Sequence, residues 1–230
     1  MKRGLRHPRD IFTTFNIEKV TIFNPIIGQH WKNVVRQYIV TINNERYLLE
    51  KSHSFIKNLL FLQHNCNIKG EHDVELGFNW LMMLLNTNAT VIHIFLEDIK
   101  DIMDKKCMKV NTLCFIGETN TSKTMLANLI TSHLTVGTIN RRGDQSQFHF
   151  DNLLNRTVGV MEVPRITNAT KNDFKALLGG DRFEIDGPNE FLERIPIIAT
   201  TNEDLGVFLH HIERNVLYSR VKQCELKEQI

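Results

Sequence analysis

Gly117-Glu-Thr-Asn-Thr-Ser122-Lys123-Thr124 is the stretch on which the reading of this chain turns. It has the spacing of the phosphate-binding pattern G-x-x-x-x-G-K-[ST]. In that pattern, backbone N–H groups of a loop and of the following helix start converge on phosphates. A lysine neutralises them and a hydroxyl ligates magnesium. Lys123 and Thr124 stand in their places, while Ser122 occupies the position of the second glycine. Glycine there lets the backbone adopt an otherwise strained conformation and approach the phosphate closely. A serine forced into it is expected to cost about 1–2 kcal/mol of local strain without removing the lysine's charge.

The flanks fit the loop. Asn111-Thr-Leu-Cys-Phe-Ile-Gly117 is a short apolar run ending in glycine, which predicts a buried strand, and Met125-Leu-Ala-Asn-Leu-Ile130 predicts a helix. Val158-Gly-Val-Met161 and Ile195-Pro-Ile-Ile-Ala199 are two further short apolar runs that end at polar residues. Strands of this kind alternating with helical stretches predict an α/β fold with a mostly parallel sheet. The first run of this pair ends in Glu162, the carboxylate that such a site needs at a neighbouring strand end to hold magnesium. A second acid usually follows it, but here Val163 does. The second run leads into Thr200-Thr201-Asn202, whose asparagine is placed to reach a terminal phosphate or its attacking water. Arg220, in Leu217-Tyr-Ser-Arg220-Val, is placed to stabilise transferred charge in a neighbouring subunit of a ring.

Upstream of Lys109 the texture is helical. Trp31, Val34, Val35, Tyr38 and Ile42 follow helical spacing, as do Phe55, Ile56, Leu59 and Leu60, then Trp80, Leu84 and Leu85. Ile92, Phe95, Ile99, Ile102 and Met103 form another apolar face. These faces predict a small helical bundle, with a boundary between residues 105 and 110. The expected organisation is a helical N-terminal region (1–75), a helical segment suited to oligomerisation (76–108) and a P-loop core (109–230).

The 230 residues carry 42% apolar side chains and a net charge of +2, so a core is expected and no strong basic field announces nucleic acid. The basic run Lys2, Arg3, Arg6 and Arg9 reads as a solvated tail. Cys66, Cys107, Cys114 and Cys224 lack CxxC spacing, which speaks against a disulfide framework and fits a reducing compartment. His64, Cys66 and His72 lack a fourth partner at zinc spacing. No apolar run reaches the length of about 18 residues that a membrane span needs, so no membrane partner and a soluble intracellular protein are expected. Arg141, Arg142 and Lys171 are candidate phosphate contacts or plain surface charge, and Phe148 and Phe150 are expected to pack on the core.

Taken together, these motifs resemble the superfamily 3 helicases of small DNA viruses, most closely the parvovirus nonstructural replication proteins. The likeness covers roughly residues 78–225. Residues 109–124 look like the family's Walker A segment, Val160-Met-Glu-Val-Pro164 like its Walker B, and residues 174–186 like the lead into its DNA-binding hairpin. Ile197-Ile-Ala-Thr-Thr-Asn202 is similar to its motif C, and Arg220 falls where its arginine finger lies. The resemblance implies an AAA+ type core behind a helical oligomerisation domain. It implies ATP as cofactor, cradled by Gly117, Glu118, Thr119, Asn120, Thr121, Ser122, Lys123 and Thr124. Mg2+ would be held by Thr124 and Glu162, and catalysis carried by Glu162, Asn202 and Arg220. It also implies single-stranded DNA and further copies of the chain in a ring as partners, and viral genome replication in the host nucleus.

Departures from the family pattern define an alternative. Ser122 and Val163 replace a glycine and an acid, and Gly187-Pro-Asn-Glu190 lacks the lysines the family places at its hairpin tip. No two of the ten histidines are spaced two apart, so the metal pair of a nicking nuclease is not expected. The alternative is a nucleotide-binding or oligomerisation module with impaired catalysis, a truncated or endogenised viral copy.

Overall fold

The computed structural model describes residues 31–61, 71–141, 148–184 and 191–228. The basic N-terminal run, His64, Cys66, Arg142 and the tip at residues 187–190 lie outside them. Four helices come first: α1 (Trp31–Ser52), α2 (Phe55–Phe61), α3 (Glu71–Thr87) and α4 (Ile92–Met103). The core then runs β1 (Thr112–Ile116), α5 (Lys123–Thr131), β2 (Val136–Arg141), β3 (Phe148–His149), a short 3-10 turn, β4 (Val158–Glu162) and α6 (Lys171–Gly179). It continues with β5 (Phe183–Glu184), β6 (Phe191–Leu192), β7 (Ile197–Thr201), α7 (His211–Tyr218) and β8 (Val221–Glu225).

Six strands form one sheet in the order β3-β2-β4-β7-β1-β8. All its pairings are parallel except that of β2 with the edge strand β3. Parallel strands joined through helices are covered on both faces, so their sequences read as continuous apolar runs. Alternation then sends successive side chains to opposite faces. In β1, Leu113 and Phe115 enter one core cluster and Cys114 the other; in β7, Ile198 enters the first and Ile197 and Ala199 the second. The first cluster also holds Leu84, Phe95, Ile102 and Leu126, and the second Met161, Phe174, Leu178 and Leu217. Phe150 is buried, edge-on to Phe174 at 6.2 Å between centroids, which is the packing role expected of it.

Cys114 and Cys224 belong to this core. Burial pushes the Cys114 thiol up to about 12 and raises that of Cys224, so neither is a ready nucleophile. Among the described residues no helix is long and apolar enough to cross a membrane.

Upstream, Phe55, Leu84, Leu85, Phe95, Ile99, Ile102 and Met103 of α2, α3 and α4 share one cluster, as expected, and α1 contributes no residue to it. In α1 the buried apolar residues are Val35 and Ile39, whereas Val34, Tyr38 and Ile42 are exposed. The C-terminal Glu50 of α1 is buried and accepts from Thr135 N (2.7 Å), Thr135 Oγ1 (2.7 Å) and Thr157 Oγ1 (2.6 Å) at the starts of β2 and β4. Arg46, one turn back, donates to Glu50 and to the His133 carbonyl. The other apolar faces are met in part: Phe55 is buried while Ile56, Leu59 and Leu60 are exposed, and Phe95, Ile99, Ile102 and Met103 are buried as expected.

Candidate nucleotide site

The parallel register sets the carboxyl ends of β1, β7 and β4 side by side, with β7 in the middle. That edge is where open α/β sheets place ligands, beyond the strand ends. From β1 the chain enters the loop at Gly117, whose N–H donates to the Thr201 carbonyl of β7 at 3.1 Å. A Cβ on Gly117 would lie 1.9 Å from the Leu226 carbonyl oxygen, so only glycine fits where the segment after β8 crosses the loop.

Within the loop, Asn120 and Ser122 take left-handed φ values of 68° and 62°. Ser122 is the N-cap of α5 and its side chain makes no capping bond; its backbone carbonyl accepts from Leu126 N at 2.9 Å. The conformation that glycine would adopt freely is therefore kept, with a Cβ attached. Lys123 begins α5 and is 93% buried, being 7% exposed. Its ammonium donates to the Glu118 carbonyl and to Thr121 Oγ1 (3.0 Å), and Thr121 in turn donates to Glu118 at 2.9 Å. Desolvation lowers its pKa below the usual lysine value. A partly desolvated cation bonded only to neutral oxygens is poised to exchange them for an anion. Glu118, Thr119, Asn120 and Thr124 are exposed on the same loop and helix start.

Glu162 ends β4, exposed, opposite Thr200 of β7. Val163 follows with φ 44°, immediately before Pro164, and its N–H donates to the Thr200 carbonyl at 2.7 Å. A β-branched residue in the left-handed region is unusual, and a following proline narrows the choice further. Asn202, just past β7, sends Nδ2 toward Thr119 Oγ1 at 3.5 Å, a long and weak contact. Thus the fold brings together the loop, Glu162 and Asn202. Neither Thr124 nor Glu162 spends its side chain on a hydrogen bond or ion pair among the described residues, so both are available to a hydrated cation.

Arg220 is not brought to this edge. It precedes Val221, which pairs with Thr112, the first residue of β1. A five-residue strand rising about 3.3 Å per residue separates it from the loop by roughly 16 Å. Its guanidinium donates to the Lys175 carbonyl (2.8 Å) and Asp181 (3.0 Å) of its own chain. Lys171 pairs with Glu213 at 2.9 Å and so is engaged within the fold.

Sequence reading missed Asn88. It sits between α3 and α4, and its Oδ1 accepts from Lys227 N (2.6 Å) and Glu228 N (2.9 Å). It thereby pins the segment that carries Leu226 across the loop, where Leu226 N donates to the Ile116 carbonyl at 2.7 Å. Asn86-Thr-Asn88-Ala-Thr90 reads as an ordinary polar turn, and nothing local marks this distant partner.

A parallel sheet of this order, with the lysine loop beyond β1 and an acid and an asparagine on adjacent strand ends, defines a P-loop NTPase fold of the AAA+ type. Solved structures of the JCV helicase share it: one covers 96% of this chain and 64% of its own, with a TM-score of 0.63 at 14% identity. The profile of the family described as parvovirus non-structural protein NS1 matches residues 79–228, and the chain belongs to that family. The initiator protein NS1 of Aedes albopictus densovirus is 28% identical over 198 residues, 84% of this chain and 23% of the relative. That of human parvovirus B19 is 31% identical over 107 residues, 45% of this chain and 16% of the relative. The chain therefore spans less than a quarter of the length of these relatives.

Proposed function

We propose that this chain is the ATP-dependent helicase core of a parvovirus-type replication protein, working on single-stranded DNA as a ring in the host nucleus. The observation that carries this reading is the row of strand tips presenting the buried ammonium of Lys123, the free carboxylate of Glu162 and the amide of Asn202. ATP would lay its phosphates against the loop from Gly117 to Thr124, with Lys123 leaving Glu118 and Thr121 to meet them. Mg2+ fits Thr124 and Glu162, both uncommitted, and when bound would neutralise charge on the phosphates. Asn202 would orient the attacking water from the middle strand.

Two further features support assembly. Val74, Leu76, Phe78 and Met83 on α3 are each more than half exposed, as apolar contacts between subunits would require. Arg220, remote from the loop of its own chain, would serve the loop of a neighbour. The related NS1 proteins carry the name initiator, which supports a place in genome replication.

The deciding measurement is ATP hydrolysis with magnesium and single-stranded DNA, with Lys123→Ala in parallel. Turnover that falls at least about a hundredfold in the variant, the scale of losing a key electrostatic group, is expected. Equal turnover in both would remove the assignment. The second reading, a nucleotide-binding module with impaired hydrolysis, is favoured by one observation: Val163 stands at φ 44° where a second acid is expected. On that reading Ser122→Gly combined with Val163→Glu creates hydrolysis that the parent lacks.

A further inference from the structure

The phosphate loop holds a backbone that its own residues do not favour. Asn120 and Ser122 stand at left-handed φ values of 68° and 62°, where glycine would sit without cost. Backbone of this kind persists only where the surroundings over-determine it. One such constraint lies at the loop's entrance, where the Leu226 carbonyl oxygen fills the space that a Cβ on Gly117 would need. Leu226 is buried, and its N–H donates to the Ile116 carbonyl at 2.7 Å. Its main chain therefore lies on the turn from β1 into the loop.

Leu226 follows β8, an edge strand that pairs with β1 alone among the described strands. Side chains of the α3–α4 segment also hold this strand and its extension. Asp98 pairs with Lys222 at 3.0 Å, Thr90 hydrogen-bonds the Cys224 thiol, and Asn88 Oδ1 accepts from the amides of Lys227 (2.6 Å) and Glu228 (2.9 Å). Leu226 is thus fixed on both sides, by its own bond to Ile116 and by those of the next two residues to Asn88.

The Asn88 carboxamide is itself oriented. Nδ2 donates to the Leu84 carbonyl at 2.9 Å, while Oδ1 takes the two amides. Leu84 is buried in the cluster that contains Phe115 of β1 and Leu126 of α5, the elements on either side of the loop. Asn88 accordingly ties the chain beyond Leu226 to the packed body from which the loop springs. Lys227 and Glu228 are exposed, so water can take over a lost acceptor there. Removing Oδ1 frees this segment without opening the core.

We infer that Asn88 is a positioning residue for phosphate binding: it holds residues 227 and 228, keeps Leu226 against Gly117, and so keeps the loop in its left-handed form. Its effect on affinity rests on the reading of the loop as a nucleotide site; the clamp itself does not. Ser122 makes the clamp necessary, because glycine there would adopt the same φ freely.

Two measurements on the full chain test this. Amide hydrogen exchange compares the parent with Asn88→Ala and with Asn88→Asp, which keeps the acceptor. The Gly117 and Leu226 amides are expected to exchange at least about tenfold faster in Asn88→Ala, with those of β4 unchanged and Asn88→Asp close to the parent. Titration of ADP with magnesium reads the consequence. Asn88→Ala should weaken binding at least about fivefold, the low end of coupling between linked sites, and Asn88→Asp less than about twofold. Adding Ser122→Gly to Asn88→Ala should recover most of that loss, a coupling that a merely structural role would not produce. The inference falls if the two amides keep their protection in Asn88→Ala, if all amides speed up alike, or if Asn88→Asp behaves as Asn88→Ala does. It falls too if Asn88→Ala binds ADP as the parent does while Lys123→Ala loses it, or if Ser122→Gly recovers nothing. ADP that binds the parent no better than Lys123→Ala would overturn the nucleotide reading instead, and the exchange of the Gly117 and Leu226 amides would still decide the clamp.

Discussion

The two edges of the central sheet are built on opposite terms. At the carboxyl edge, Asn120, Ser122 and Val163 all hold left-handed backbone without glycine, and Glu162 and Thr124 are exposed with no side-chain partner among the described residues. At the amino edge, the buried Glu50 has both oxygens engaged by an arginine, a backbone amide and two threonine hydroxyls. The first edge keeps polar groups free and holds strain, as ligand-binding loops do; the second uses its polar groups to hold α1 onto the strands. Stability and candidate chemistry are therefore separated by the length of a strand, and substitutions at the two edges are expected to have opposite signs.

The largest effect is expected at the amino edge. Glu50→Ala leaves two threonine hydroxyls, one amide and Arg46 without their acceptor, and removing one member of a buried ionic network costs about 3–5 kcal/mol. Denaturant unfolding of the parent and variant checks this, and a loss below about 1 kcal/mol would erase the contrast between the edges. Next, at the carboxyl edge, Val163→Asn should stabilise by about 1 kcal/mol, because asparagine tolerates the left-handed region that costs a β-branched residue about 1–2 kcal/mol. Ser122→Gly should gain less, about 0.5 kcal/mol, since relief of strain is offset by the greater freedom of glycine in the unfolded chain. The same unfolding experiment reads both, and destabilisation by either would mean that the left-handed backbone is not a cost at this edge.

The smallest effect is expected away from both edges. Lys175 and Lys171 hold the Glu213 carboxylate down to about 2, below its ordinary 4.5. A lowered carboxylate stabilises the fold above pH 4.5 and loses that contribution as pH falls from 4.5 toward 2. Melting temperature followed from pH 6 to pH 2.5 should therefore fall more steeply for the parent than for Glu213→Gln. Parallel curves would show that Glu213 and its two lysines add nothing, as many ion pairs near the surface do.

Much of the core was legible in its residues. The apolar runs before Gly117, Glu162 and Asn202 predicted β1, β4 and β7, because strands buried on both faces cannot hide a polar alternation. Ser122 in place of the pattern's glycine predicted a strained backbone there, and the structure gives that strain its form, a left-handed φ of 62°. The helices upstream were legible as helices but not in their packing. Periodicity pointed to Val34, Tyr38 and Ile42, whereas α1 is fixed by Glu50, a charged residue that no apolar pattern selects. Asn88 escaped for the same reason, since its partners lie far along the chain.

By itself, then, the sequence determined three strands of the sheet, β1, β4 and β7, together with the position of the phosphate loop and the residues that end those strands. These follow from local composition, because backbone hydrogen bonding and burial act on neighbours in the chain. Only the tertiary structure decided that Glu162 and Asn202 flank the loop while Arg220 lies at the far end of β8, and that Leu226 closes on Gly117. Those facts depend on which strands pair and in what register, and register is a property of contacts between distant segments that no window of sequence contains.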